Sequence, residues 1–205
     1  MRRGFLFIDH ADLNFMIQLA AMDMYFIAIV LPPALNEKVL KYKIMMKEKY
    51  GSAVALKSPA HITLLPPCWM DPAFEEPLRN DLDLLAAGIG PFEICTNDFS
   101  AFSQRTLFIA TAASKPLELV KERTDVFFST RRQYPLQPDT RPFHPHITIA
   151  TRDLHKKDFL EAWTYFQSKT FRECWTTGGI SLLKHNKKNW DVVHTSQFKY
   201  HALNG

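Results

Sequence analysis

Two tetrapeptides in this chain, His61-Ile62-Thr63-Leu64 and His146-Ile147-Thr148-Ile149, spell one pattern, and the segments ahead of them match as well. Phe26-Ile27-Ala28-Ile29-Val30 leads through a helical stretch to the first. Phe108-Ile109-Ala110-Thr111-Ala112 leads through a helical stretch to the second. The two spacings, 26 to 61 and 108 to 146, nearly agree. Strand, helix and His-x-Thr strand therefore occur twice, which predicts two similar lobes facing each other across a pseudo-twofold axis. Two copies at so long a period do not make an open solenoid.

The remaining elements fit around this repeat. Residues 24–31 form an apolar run ended by Pro32-Pro33, read as a buried strand. Residues 35–50 have helical spacing of apolar positions and stop at Gly51. The first His-x-Thr strand is short and held between prolines. Residues 73–88 are a helix, 91–98 and 105–112 two strands joined by a turn, and 115–132 a helix with Pro116 in its first turn. A loop runs from Tyr134 to Pro145. A helix follows the second His-x-Thr strand over 153–168, and strands are expected over about 171–184 and 189–198. Residues 1–23 read as an extension, and 24–205 as one bilobal domain.

Alternation along a strand puts His61 and Thr63 on one face, with Ile62 and Leu64 on the other. The same holds for His146 and Thr148 against Ile147 and Ile149. If the lobes face each other, two imidazoles and two hydroxyls converge on one cleft. Histidine titrates near neutral pH, so one ring can be neutral and its partner protonated in the same resting chain. The neutral ring takes a proton from an attacking hydroxyl or water, and the protonated ring gives one to the departing oxygen. Threonine hydroxyls can hold non-bridging phosphate oxygens. In-line displacement needs groups on opposite sides of phosphorus, which a symmetric pair of strands supplies. Phosphoryl transfer without a metal suits this set.

Length and composition set few further bounds. The chain has 205 residues, 46% of them hydrophobic, enough for a sizeable core. A net charge of +4 is compatible with an anionic substrate without requiring one. Cys68, Cys95 and Cys174 are odd in number, widely spaced and form no Cys-x-x-Cys, so reduced thiols and a cytoplasmic location are expected, with neither disulfide nor zinc site. Asp9, His10 and Asp12 interrupt what would otherwise resemble a signal sequence. No apolar run is long enough for a membrane-spanning helix.

The residues His61-Ile62-Thr63-Leu64 with Pro66-Pro67, and Phe143-His144-Pro145-His146-Ile147-Thr148-Ile149-Ala150, resemble the two-histidine (2H) phosphoesterase superfamily, which includes the LigT-like 2'-5' RNA ligases and cyclic phosphodiesterases. The resemblance spans about residues 24–200. It implies an α+β, bilobal pseudo-twofold fold, with two small antiparallel-rich sheets around a central cleft and helices outside. It implies action on 2',3'-cyclic phosphates or 2'-5' phosphodiesters of a nucleotide or RNA end, by a monomer, with no metal and no cofactor. His61 and His146 become the acid/base pair, and Thr63 and Thr148 the phosphate ligands. Many relatives carry an arginine soon after the second motif. Here Thr151 intervenes and Arg152 follows as the candidate phosphate contact.

Around the motifs, Arg141 and His144 are rim candidates, and Trp69 and Phe143 could stack on a base. Two other classes fit the sequence: an RNA-binding module that retains the cleft without turnover, and a metal-dependent hydrolase. Steep salt dependence without product marks the first. Sensitivity to chelation marks the second.

Overall fold

Tyr25, Ile27 and Ile29 point to one side of a strand and Phe26 and Ala28 to the other, and all five are buried. Residues apolar on both faces make a central strand, and β1 (Asp23–Val30) lies inside its sheet. The computed structural model describes residues 22–199. The expected extension, 1–23, falls almost wholly outside them.

Pro32 and Pro33 end β1 and start α1 (Pro33–Tyr50). Gly51, in the left-handed region at φ 70°, closes α1 by donating to the Lys47 carbonyl. A short 3-10 turn (Val54–Lys57) leads into β2 (His61–Met70), which runs through Pro66 and Pro67 instead of stopping at them. β2 is an edge strand, and its pairing with β1 shifts register where the prolines lie. Missing N–H groups are tolerated at such an edge. Next come α2 (Glu75–Ala87), β3 (Phe92–Phe102), β4 (Thr106–Thr111), α3 (Lys115–Ser129), β5 (His146–Ala150) and α4 (Lys156–Phe166). The chain ends in β6 (Cys174–Thr177), β7 (Gly179–His185) and β8 (Trp190–Gln197).

The strands form two four-stranded antiparallel sheets, ordered β2-β1-β7-β8 and β5-β4-β3-β6. β1-α1-β2 and β4-α3-β5 are the repeated units, and each puts its His-x-Thr strand at the edge of its sheet. This is the bilobal α+β fold the sequence implied. Ile29 and Ile62 of one sheet and Ile109 and Ile147 of the other belong to one continuous apolar core.

Two expectations are corrected. Residues 171–184 are not one strand: β6 belongs to the second sheet and β7 to the first. The chain crosses between lobes at Gly178-Gly179, where a Cβ on Gly179 would lie 2.6 Å from the Ser196 carbonyl oxygen. Cys95 and Cys174 are not free thiols. β3 and β6 place them directly opposite, and they form a disulfide across 79 residues of sequence. Spacing along the chain gives no sign of a cross-strand neighbour. Cys68 is unpaired. Among the described residues no helix is long and apolar enough to cross a membrane.

Candidate active site

β2 and β5 approach each other, with Cα atoms within 8 Å across the two lobes. In both strands the isoleucines are buried, and the histidine and threonine are half-buried on the other face. Their cross-strand partners are offset by two residues between the lobes, but the aromatic contact repeats. Val30 and Ala28 stand opposite His61 and Thr63, and Ala110 and Phe108 opposite His146 and Thr148. The Phe26 ring packs against His61 at 4.9 Å between centroids, and Phe108 against His146 at 5.1 Å. The repeated Phe-Ile-Ala thus gives each imidazole an aromatic wall.

The two rings are held alike. His61 donates Nδ1–H to the Pro59 carbonyl oxygen at 2.8 Å, and His146 donates Nδ1–H to that of His144 at 2.7 Å. A carbonyl only accepts, so the proton of each neutral ring sits on Nδ1 and Nε2 carries the lone pair. Burial is the chief influence on both. It pushes His61 down to about 4, against the bond to Pro59 and with help from the charges of Lys43 and His146. Burial also lowers His146, against the bond to His144, with His144 and Arg141 adding to the effect. Burial therefore works against the protonated ring that the sequence reading expected on one of the two histidines, since it disfavours the charged form of both.

A cavity of about 590 Å³ opens between the strands. Thr63, Leu64 and Pro66 line it from β2, and His146, Thr148 and Thr151 from β5 and its exit. Asp139, Arg141, Pro142, Phe143 and His144 form a wall from the loop before β5, and Lys121 reaches in from α3. His61, beside Thr63 on β2, is not itself among the lining residues; its ring packs against Phe26, and the charge of His146 opposes its protonation.

The sequence candidates thus divide. Arg141, Phe143 and His144 line the cavity with Thr63, His146 and Thr148. Arg152 is exposed, is not among the lining residues, and lends only its carbonyl to Arg105. Trp69, 54% exposed and paired with Met24, also lies outside the lining.

Lys121 and Asp139 were missed. Lys121 is ion-paired with Asp125, and its ammonium lies 5.7 Å from the Phe143 ring centroid. It shares the buried face of α3 with Leu117, Thr124 and Phe128, so a lysine on an apolar stripe was the available signal. Asp139 holds Arg141 through Nε at 3.0 Å and Nη2 at 2.5 Å, and the guanidinium keeps its carboxyl at about 2. Among the described residues, the one group of three potential metal-ligand atoms within 4.8 Å is Glu93, Cys95 and Cys174 on the β3–β6 ladder, two of them bonded to each other.

Comparison with known proteins gives the family and the fold. The family model described as the 2'-5' RNA ligase superfamily matches residues 31–189. No curated protein matches the chain. Among solved structures, E. coli LigT in its apo form shares 15% identity and aligns over 87% of this chain and 99% of its own, with a TM-score of 0.61. E. coli LigT complexed with 3'-AMP gives 17% identity, 87% and 99% coverage and a TM-score of 0.58. A Thermus thermophilus protein gives 18%, 86% and 100%, and 0.57. At these identities the likeness is one of fold.

Proposed function

The chain belongs to the 2'-5' RNA ligase superfamily, and we propose that it is a metal-independent phosphoesterase acting on 2',3'-cyclic phosphates or 2'-5' linkages of nucleotides or RNA. The observation that carries this reading is the matched pair of Nδ1–carbonyl bonds. They leave an Nε2 lone pair on His61 and another on His146, on neighbouring strands of opposite lobes.

For hydrolysis of a cyclic phosphate, one Nε2 removes a proton from water as its oxygen bonds to phosphorus. The other, protonated, gives its proton to the ribose oxygen as the P–O bond breaks. Thr63 and Thr148 donate to the non-bridging oxygens, and the negative phosphate draws onto one ring the proton that the free chain lacks. Ligation follows the same path with a 5'-hydroxyl in place of water, and cleavage of a 2'-5' linkage is that step reversed, with acid and base exchanged. Arg141 supplies a cation at the mouth, and Phe143 and His144 an aromatic side for a base. Arg152 has no part in this reading. E. coli LigT has been solved with 3'-AMP and with phosphate, ligands of the class proposed here.

The test is a panel of 2',3'-cyclic nucleotides and 2'-5'-linked dinucleotides, with and without EDTA, and with products resolved as 2'- or 3'-monophosphates. Turnover unaffected by EDTA and giving one regioisomer supports the reading. No turnover across the panel, or turnover abolished by EDTA, overturns it.

A further inference from the structure

Lys43 stands where the pattern of α1 calls for an apolar residue. It follows Leu35 and Val39 and precedes Met46 on the buried side of the helix, and is itself 3% exposed. Removal from water pulls its proton affinity down to about 8. Among the described residues it has no carboxylate partner, and its Nζ donates to the Ser58 carbonyl oxygen at 3.0 Å. An unpaired buried ammonium disfavours folding, so the fold alone does not account for it.

The carbonyl it holds begins the turn into β2. Beside it, the Pro59 carbonyl accepts from His61 Nδ1 at 2.8 Å, and the Ala60 N–H donates to Asn36 Oδ1 at 2.7 Å. Asn36 and Lys43 both belong to α1, so the helix grips the turn on either side of the carbonyl that orients the imidazole.

We propose that Lys43 is a positioning residue for His61: its ammonium fixes the Ser58–Ala60 turn from which the imidazole hangs, and its charge opposes a second cation there. Lys43 from α1 and His146 from β5 are the titratable groups whose charges reach His61, and each opposes its protonation. On the other side the charged neighbours of His146 are His144 and Arg141, and Arg141 is already paired with Asp139. The buried ammonium makes the two imidazoles unequal. Its consequence for turnover rests on the phosphoesterase reading; its effect on His61 does not.

The test is a histidine-ring NMR titration of the full chain, with the His61 signal assigned from its loss in His61→Gln. Lys43→Gln keeps an N–H for Ser58 while removing the charge, and should raise the His61 midpoint by roughly half to one unit. Lys43→Arg should return it toward the wild-type value. In the wild type, the His61 ring signals should respond as Lys43 titrates near pH 8, a check that needs no variant. A wild-type midpoint at the ordinary histidine value, no response near pH 8, or an unmoved midpoint in Lys43→Gln overturns the proposal. With an active substrate, the acid limb of kcat/KM should move with the midpoint while KM changes less than about twofold. If no substrate turns over, the phosphoesterase reading fails, and the titration still decides the role of Lys43.

Discussion

His61 hangs by Nδ1 from the carbonyl of Pro59 at 2.8 Å, and His146 repeats the arrangement with His144 at 2.7 Å. If both Nε2 atoms serve one phosphate, neither can replace the other. His61→Ala and His146→Ala should each lower kcat/KM by roughly 10²- to 10⁴-fold. The double variant should be little worse than the poorer single one, since the two act as a unit. Thr63→Val or Thr148→Val, removing one hydroxyl near the phosphate, should cost roughly 10²-fold. Steady-state kinetics on folded variants decides this: full activity in either histidine variant sinks the paired reading.

Burial disfavours the protonated form of both imidazoles, so on the proposed mechanism a binding phosphate should draw a proton from solution onto one of them. The kcat/KM optimum should lie on the acid side of neutrality and report the pair as a unit. Calorimetry of inorganic phosphate binding in buffers of different ionisation enthalpy should show proton uptake. Uptake absent at pH 7 would count against the mechanism. Folding stability follows from the same shift. His61 binds its proton more weakly when folded, so between 6.5 and about 4 the unfolded chain holds more protons. Stability is therefore lost as pH falls through that window, which urea midpoints at pH 7 and pH 5 would register.

The repeat was legible because it is written locally. Phe26-Ile27-Ala28 and Phe108-Ile109-Ala110 carry strand periodicity, and the two His-x-Thr strands carry an alternation that fixes which side chains share a face. What was hidden depends on tertiary neighbours. Nothing near Gly178 says that one extended stretch serves two sheets, because the crossing is set by the approach of Gly179 to Ser196. Cys95 and Cys174 become partners only when β3 pairs with β6. Arg152 and Arg141 look alike in sequence as cations beside a motif, and the loop before β5 decides that Arg141 lines the cavity. Lys43 and Lys121 were visible as lysines on apolar helix faces, a signal stronger than their charge.

Gly179 sits where a side chain has nowhere to go. A Cβ there meets the Ser196 carbonyl oxygen at 2.6 Å and Thr195 Cγ2 at 3.3 Å, and the first is backbone within the β7–β8 ladder. Gly179→Ala should destabilise the chain by about 1–3 kcal/mol. Gly178→Ala, where a Cβ would meet nothing closer than the Gln197 side chain at 3.9 Å, should change stability far less. Equal losses in the two variants would point to backbone freedom as the cause, not the close approach.

The Cys95–Cys174 bond closes a long loop, since its ends are 79 positions apart in sequence. Constraining the unfolded chain in this way is worth about 2–4 kcal/mol. Reduction, or Cys95→Ser with Cys174→Ser, should lower the denaturation midpoint accordingly. Intact-mass measurement after alkylation without reductant should find one modified thiol, that of Cys68. Three alkylated thiols in the native chain would contradict the pairing.

Asp153 ties the two repeats together next to the site. It follows β5, and its carboxylate accepts from Ser52 Oγ at 2.8 Å and from the N–H groups of Ala53 at 2.6 Å and Val54 at 2.8 Å, at the start of the turn that leads to β2. Burial disfavours its charge, but these three donors outweigh burial and hold its proton affinity below the ordinary carboxylate value. The stabilisation is therefore present above the unfolded carboxylate value and is lost as pH falls through the folded one. Asp153→Ala leaves two N–H groups and a buried hydroxyl without their acceptor, and should cost about 2–3 kcal/mol. Asp153→Asn, which keeps one accepting oxygen, should cost less. Between pH 5 and pH 3 the wild type should lose more stability than Asp153→Ala, because the variant has no carboxylate there to protonate. Well below its melting temperature, Asp153→Ala should also lose roughly tenfold in kcat/KM as the spacing of β2 and β5 relaxes. Unchanged kcat/KM in a destabilised variant would restrict Asp153 to the fold and leave the strand spacing to the shared core.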